Sequence, residues 1–445
     1  MQLKRSLNLF DATLLVIGNV VGAGIFTTSG FLAGELSQPS LFIGIWIIGG
    51  LLTLCGALTY AELAAMFPHS GGDYQFLKAA YGPWAGYLLG WVSFWIISPG
   101  SIAALSIALV SYLNGFFPLG TLALEKIFAI GIILFLSLVN CRGVRWSGTA
   151  QDIFTLGNLV IIVIFVAGGL VSMKGDYQHF TASSGSLPLS KLFGPAMIAV
   201  IFTYSGWFVT AYIGGEIKNP GRNLPLSLLV GTAVVMVLYT LINITYLYAI
   251  PIPELKGAVN VAQVSAESLF NKGFAQILSL SVMLAIAASI NATILAGARI
   301  YYAMASDHIF WTRLKTLHPF YHTPYLSILT QMILSCLFVA VGTFNQLLSY
   351  VVFVMLLSSI ATGIAHLILR KRKPELPRPY RTWGYPVVPF LFIGFYIWIA
   401  IQVAYAKPST SMLGILITIS GLPFYIIWYR LKKSGRNTDK DHGMA

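Results

Sequence analysis

Charged residues are scarce in this sequence, and so are cysteine and histidine. Only 9% of the 445 residues are Asp, Glu, Lys or Arg, against about 25% in a typical soluble domain, so the composition excludes an ordinary soluble fold. The three cysteines, Cys55, Cys141 and Cys336, lie far apart, which argues against a disulfide framework or a cysteine metal site. The seven histidines form no H-E-x-x-H motif and no convincing serine–histidine pair, so the sequence predicts no metal ion, cofactor or catalytic centre.

Long apolar runs take the place of charge. Hydrophobic residues make up 57% of the chain, and a helix that crosses a bilayer needs about 20 apolar residues in succession. Lipid offers the backbone no hydrogen-bond partner, so each such run must be helical. We therefore predict an all-α membrane protein that forms one polytopic domain over residues 1–445, with the first apolar run retained as a span. The twelve predicted spans are 9–33, 40–66, 84–112, 122–140, 151–173, 190–215, 225–250, 274–304, 325–342, 345–370, 386–405 and 411–431.

Positive residues favour one side of the membrane. With twelve spans, most of the 27 Lys and Arg residues fall on the side that also holds both termini. Because Lys and Arg collect on the cytoplasmic side, we expect a multi-pass protein of the cell membrane with both termini in the cytoplasm. This pattern accounts for the net charge of +13, so the charge predicts contact with membrane lipid and no nucleic-acid partner. The stretch from Pro68 to Gly82 predicts a short amphipathic helix at the same surface.

Small residues interrupt two of the apolar runs. Span 1 contains Gly22-Ala23-Gly24 at its centre, and span 6 contains Phe202-Thr203-Tyr204-Ser205-Gly206-Trp207. Glycine disfavours helix by about 1 kcal/mol relative to alanine, and paired breaks in two halves of a chain are typical of a transporter site at the membrane midplane. Freed N–H groups at the first break would hold a carboxylate. Freed carbonyls near Val20, Phe202 and Ser205 would hold an ammonium, so the pair suits a zwitterionic amino acid. Close helix packing through small residues is the alternative explanation.

Four stretches of the sequence resemble motifs of one known family. They are Gly18 to Phe26, Pro68 to Gly82, span 6 with its tail to Pro225, and Ser289-Ile290-Asn291-Ala292. All are similar to motifs of amino acid permeases in the amino acid–polyamine–organocation (APC) superfamily, and those of span 6 and Ser289 to Ala292 to its L-type branch. The resemblance covers essentially the whole chain. It implies a LeuT-type fold in which 9–173 and 190–370 are inverted five-helix repeats with helices 1 and 6 broken. Two added spans at 386–431 and a cytoplasmic tail at 432–445 would follow.

The same resemblance implies secondary active transport of amino acids by alternating access. The residues expected to contact the substrate are Val20, Gly22, Ala23, Gly24, Phe202, Ser205, Gly206 and Phe208. Phe202 would also be an aromatic gate that closes over the substrate. Ser289 and Asn291, in the motif of the eighth span, would belong to the gating or coupling machinery.

Two departures from the family pattern bear on mechanism. Many relatives carry a lysine in span 5 that links protonation to the gate, and the matching position here is Asn158. Asparagine cannot titrate, so we expect exchange of amino acids. Phe208 stands where L-type relatives often have asparagine, and with Ala23 and Ala292 it suggests an apolar pocket for a neutral L-amino acid.

Four acidic residues lie in or near the spans: Asp11, Glu62, Asp152 and Glu216. Buried charge is costly and is therefore paired or functional. We expect Asp11, Asp152 and Glu216 to pair in an inner gate with basic residues such as Arg142, Arg145, Lys218 or Arg222. Glu62 is the candidate proton carrier of an alternative, a proton-coupled amino acid symporter. A channel and a membrane-embedded enzyme are more distant alternatives, since no filter-like repeat or catalytic cluster is visible. No obligatory protein partner is evident.

Overall fold

The computed structural model describes residues 5–69, 71–142, 144–181, 189–258, 260–342 and 344–441. Over these residues the chain is helical and contains no β-strand beyond an isolated bridge between Leu7 and Ile217. The α-helices are α1 Leu9–Val20, α2 Ala23–Glu35, α3 Pro39–Met66, α4 Asp73–Tyr81, α5 Pro83–Val92, α6 Ser98–Asn114, α7 Leu122–Cys141, α8 Val144–Val171, α9 Leu189–Tyr204, α10 Val209–Tyr212, α11 Pro220–Ala249, α12 Ile252–Leu255, α13 Val261–Leu269, α14 Lys272–Ser306, α15 Tyr325–Val341, α16 Phe344–Arg372, α17 Val387–Ala406 and α18 Pro408–Asp441.

Nine helical segments within the described ranges are long and apolar enough to cross a membrane. They coincide with predicted spans 1–4, 7, 8 and 10–12, and their ends differ from the predicted ends by a few residues. Predicted spans 5 and 9 correspond to the shorter apolar segments Thr155–Val171 and Tyr325–Val341, and span 6 begins with α9. The count of twelve spans and the two inverted repeats therefore stay predictions.

The first helix is fixed at its start by a reciprocal cap. The side-chain oxygen of Asn8 accepts hydrogen bonds from the N–H groups of Phe10 and Asp11, and the Asp11 carboxylate accepts one from the N–H of Asn8 at 2.8 Å. Such a capping box satisfies N–H groups that have no partner within the helix. The carboxylate of Asp11 therefore serves the helix terminus, whereas we expected it to pair with a basic residue.

Helices α1, α3, α11 and α14 form the centre of the protein. α11 packs along α3 and α1, and α14 packs against α6 and α8. The third span consists of α5 and α6, which are joined by a turn of π-helix at Ser93–Ile97. The outer helices expose large apolar side chains, such as Phe128 and Phe135 on α7, which is expected where a helix faces lipid.

Candidate substrate site

The first break lies between α1 and α2. Val21 departs from helical geometry with a ψ of 78°, and Gly22 precedes the start of α2. The N–H of Gly22 donates to the Val20 carbonyl at 2.8 Å. A Cβ atom at Gly22 would lie 2.9 Å from Ser289 Oγ, so a larger residue would displace Ser289.

The second break lies between α9 and α10, where residues 205–208 form turns. Gly206 has a φ of +97°, in the left-handed region that costs other residues about 1–2 kcal/mol. A Cβ atom there would lie 2.6 Å from Asn19 Nδ2. Both the backbone angle and the close approach of Asn19 therefore require glycine.

Side chains next to the breaks hold the two breaks together. Asn19, just before the first break, donates from Nδ2 to the Gly206 carbonyl at 2.8 Å. Ser289 on α14 donates to the Gly18 carbonyl at 3.1 Å. The opened backbone at the first break is thus fixed from one side by span 6 and from the other by α14.

Tyr239 on α11 bridges the same two breaks. Its hydroxyl lies 2.7 Å from the Val20 carbonyl oxygen and 3.2 Å from that of Thr203. Nothing in the sequence around Tyr239 distinguishes it from other aromatic residues in apolar spans, so the sequence analysis missed it.

We expect Tyr239→Phe to lower the rate of substrate transport by up to about tenfold, because the Val20 carbonyl loses one of its two hydrogen bonds and one such bond contributes about 0.5–1.5 kcal/mol. The measurement is the initial transport rate in vesicles that contain equal amounts of folded protein. Tyr405→Phe is the matched control, since Tyr405 is 82% exposed. Equal rates for Tyr239→Phe and the unmodified protein would contradict a supporting role for this hydroxyl.

A cavity of about 120 Å³ lies where the breaks meet. Ser289 also lines it, together with hydroxyl-bearing residues of α6, α14 and α16, and Asp73 is the only acidic or basic residue among its described lining residues. Ala23 is the first residue of α2, and its side chain lies outside the described part of the structure. Seven of the eight expected substrate contacts line this cavity: Val20, Gly22, Gly24, Phe202, Ser205, Gly206 and Phe208.

At the breaks, the backbone carbonyl and N–H groups that remain without a hydrogen-bond partner differ from those that the sequence predicted. The Val20 carbonyl accepts from both Gly22 N–H and the Tyr239 hydroxyl, so its two lone pairs are already occupied. Because Gly22 N–H is occupied too, the free donors begin one residue later, in the first turn of α2. Among the described turn hydrogen bonds, the Phe202 carbonyl accepts one, from Ser205 N–H at 2.9 Å. It is therefore the better candidate to bind an ammonium group.

Two of the expected coupling residues lie away from the cavity. The amide oxygen of Asn158 accepts a hydrogen bond from Ser281 on α14. Ser281 precedes Ser289 by eight residues, which is about 12 Å of helix, and Asn158 is not among the lining residues. Asn291 accepts from Asn140 Nδ2 on α7 at 2.7 Å, also outside the lining. Their amides join neighbouring helices, and a part for either residue in gating or coupling stays a prediction.

Glu62, the candidate proton carrier of the alternative symport mechanism, forms an ion-pair cluster. Its carboxylate accepts two hydrogen bonds from Arg370, at 2.9 and 2.6 Å, and one from Arg378 at 3.2 Å. His366 Nε2 lies at 3.1 Å, and Thr382 N–H donates at 2.7 Å. Loss of the carboxylate charge would leave two guanidinium groups without a counter-charge, and Glu62 does not line the cavity.

Glu216 pairs with Arg299, a partner that we did not predict. Arg299 Nε lies 2.9 Å from Glu216 Oε1, and their side chains are only 1% and 4% exposed. Arg299 lies within α14, which corresponds to predicted span 8. Next to this pair, the N–H groups of Ser6 and Leu7 donate to the Glu216 carbonyl, and Lys218 N–H donates to the Leu7 carbonyl. These bonds join the start of span 1 to the end of span 6, and we call them the N-terminal strap.

Asp73, at the start of α4, is a buried acid that the sequence analysis missed. The helix α4 confirms the predicted short helix, but Asp73 is only 3% exposed, whereas we expected a helix at the surface. Tyr212 and Tyr60 donate to Asp73 Oδ2 at 2.9 and 3.3 Å. Burial, the largest influence, raises the pKa of Asp73 to about 7. An acid directly after two glycines in a loop between spans was the available signal.

Comparison with known proteins identifies the family of this chain. The family model described as amino acid permease matches residues 7–426. The serine/threonine exchanger SteT of Bacillus subtilis (strain 168) is 32% identical over 97% of this chain and 98% of its own length. The human large neutral amino acids transporter small subunit 2 is 29% identical over 96% of this chain and 80% of its own length. The human Asc-type amino acid transporter 1 is 28% identical over 96% of this chain and 82% of its own length.

These matches confirm the resemblance to APC-superfamily permeases that the sequence motifs indicated. They also indicate a multi-pass membrane transporter rather than an enzyme. The chain therefore belongs to the amino acid permease family.

Proposed function

We propose that this protein exchanges neutral L-amino acids across the cell membrane by alternating access at the paired breaks. The observation that carries the proposal is the cavity where the two breaks meet. The first turn of α2 presents N–H groups and the positive end of a helix dipole, which suit a carboxylate. The Phe202 carbonyl, at the other break, suits an ammonium group. The same residues would also bind and release substrate as Phe202 closes or opens the cavity.

The lining of the cavity favours a substrate with a small, uncharged side chain. Apart from Asp73, the described lining residues are uncharged, and many are serine or glycine. An anionic side chain would find no counter-charge among the described lining residues, and the one acid among them, Asp73, is already bonded to two tyrosine hydroxyls. The relatives' names agree that the side chain is uncharged, since they include a serine/threonine exchanger and a large neutral amino acids transporter.

Exchange is favoured over proton-driven uptake by two observations. Asn158 cannot titrate and is occupied by Ser281, and Glu62 is held by arginines. The relative that covers almost the whole of both chains is itself named an exchanger. We further propose that the protein acts without an obligatory protein partner and has both termini in the cytoplasm, as the distribution of Lys and Arg predicts.

The test is uptake of labelled serine, alanine or leucine by proteoliposomes that contain the purified protein. We expect rapid uptake into vesicles preloaded with unlabelled amino acid and little uptake into empty ones. Protein-free liposomes are the control. Equal uptake into empty vesicles under an inward proton gradient would replace exchange with symport, and no uptake of any neutral amino acid would overturn the proposed substrate class.

A further inference from the structure

Asp73 has features that substrate exchange alone does not explain. It is buried, it lines the cavity, and its Oδ1 atom has no hydrogen-bond partner among the described residues. Tyr212, which donates to its other oxygen, lies on α10, the inner half of the broken sixth span. The carboxyl group therefore connects the loop between spans 2 and 3 to a half-helix of the substrate site.

The loop that carries Asp73 is fitted closely to Tyr212. Gly71 N–H donates to the Tyr212 carbonyl at 2.9 Å. Gly72 has a φ of +48°, and a Cβ atom there would lie 2.6 Å from the Tyr212 ring. Two glycines thus allow the loop to pack against α10 and to place Asp73 over the cavity. Movement of α10 away from this loop would expose Asp73 to water.

No positive side chain neutralises Asp73 within the described structure. Asp73 accepts hydrogen bonds from the Tyr60 hydroxyl of α3 and the Tyr212 hydroxyl of α10. The Thr362 hydroxyl of α16 lowers the pKa of Asp73 by less than the tyrosines do and makes no hydrogen bond of normal geometry with it. The nearest charged groups are paired with each other: Lys78 with Asp307, Glu62 with His366, Arg370 and Arg378, and Glu216 with Arg299. The surroundings therefore disfavour a negative charge on Asp73 in this closed arrangement.

We propose that Asp73 is a proton-binding site that couples the inner end of the cavity to pH. The neutral carboxyl group keeps the loop against Tyr212 and closes the cavity, and release of the proton to water favours opening. This proposal rests on the exchange function proposed above. Binding involves only the transfer of a proton between water and Asp73 Oδ1, the oxygen without a partner.

The direction of the pH effect follows from the two environments of the group. In the closed arrangement, burial raises the pKa of Asp73 to about 7. In an open, hydrated arrangement the pKa would return to about 4. Between these values the closed state binds more protons, so acidification favours closure, and this advantage is lost as the pH rises through 7. Where opening limits the rate, exchange at pH 6 should be about tenfold slower than at pH 8.

The experiment measures exchange in proteoliposomes from pH 5.5 to 8.5, with equal pH on both sides. We expect the exchange rate of the unmodified protein to rise with pH, with a midpoint near pH 7. The exchange rate of Asp73→Asn should be low and should not change with pH. Tyr212→Phe removes a donor to the ionised form, so its midpoint should rise by about one pH unit. Glu267→Gln, which removes an exposed carboxyl group that does not line the cavity, is the matched control and should keep the unmodified midpoint.

Each outcome decides the proposal. An unchanged midpoint in Asp73→Asn would overturn it. If that variant is inactive or unfolded, the Tyr212→Phe midpoint decides instead, and no shift there would overturn it. If the unmodified protein exchanges no amino acid, the proposed function fails, and infrared titration tests Asp73 separately. A protonated-carboxyl band that disappears near pH 7 in the unmodified protein and is missing from Asp73→Asn supports the site, and absence of the band overturns it.

Discussion

Replacing Gly206 by alanine is expected to reduce amino acid exchange below a tenth of its rate while the protein still folds. Alanine at a φ of +97° is unfavourable by about 1–2 kcal/mol, and its Cβ would lie 2.6 Å from Asn19 Nδ2. The bond from Asn19 to the Gly206 carbonyl would break, and with it the contact between the two breaks. The measurement is exchange per folded protein, with folding checked by size-exclusion chromatography.

Gly120→Ala is the matched control for this prediction. Gly120 also has a positive φ, +74°, but a Cβ atom there would meet no atom within 4 Å. The control therefore introduces the same kind of backbone strain without disturbing the site. Exchange by Gly206→Ala at more than half the unmodified rate would show that the contact with Asn19 is dispensable.

Removal of one member of the Glu216–Arg299 pair is expected to cause the largest loss of stability. Both side chains are almost completely buried, and a single buried charge without its partner costs about 3–5 kcal/mol. Glu216→Gln should lower the stability more than Arg299→Met does. The Arg299 left behind cannot lose its proton and stays charged, whereas the Glu216 left behind can gain a proton and become neutral. The double variant should recover most of the stability, since a buried ion pair is often replaceable by uncharged residues.

The measurement for these two single variants and the double variant is the thermal unfolding midpoint of each in the same detergent. Lys78→Ala is the control, because it breaks an ion pair whose side chains are about one-third exposed, and such pairs contribute about 0–1 kcal/mol. A double variant no more stable than Glu216→Gln would contradict the explanation by unpaired charge.

The sequence predicted the two breaks and the part of the cavity lining that lies beside them, because the signal there is local. Glycine or serine within an apolar run marks a place where the helix opens, and Gly22, Ser205 and Gly206 all lie at such places. Which groups remain free there depended on contacts across the chain. Tyr239 lies 219 residues from Val20 in sequence, and its occupation of the Val20 carbonyl has no local signature.

The polar residues outside the breaks were harder to place for a different reason. Asn158 and Asn291 lie on helices that are apolar on every side, so their spacing does not tell which neighbour they face. Asp73 was predicted to lie at the surface with its short helix, since charge is usually exposed, and no partner was predicted for Arg299. In the structure Arg299 donates a hydrogen bond to the buried Glu216 carboxylate, and Asp73 accepts hydrogen bonds from two tyrosine hydroxyls. Such partners come from distant segments.

The N-terminal strap makes a mechanical linkage of two elements that could otherwise move separately. Because residues 6 and 7 are bonded to Glu216 and Lys218, a displacement of the start of α1 is transmitted directly to the segment after α10. The half-helices α1 and α10 are thus joined outside the cavity as well as at the breaks, and in the exchange proposed above we expect them to move together. A force or a binding protein that acts on the first few described residues would reach both halves of the substrate site at once.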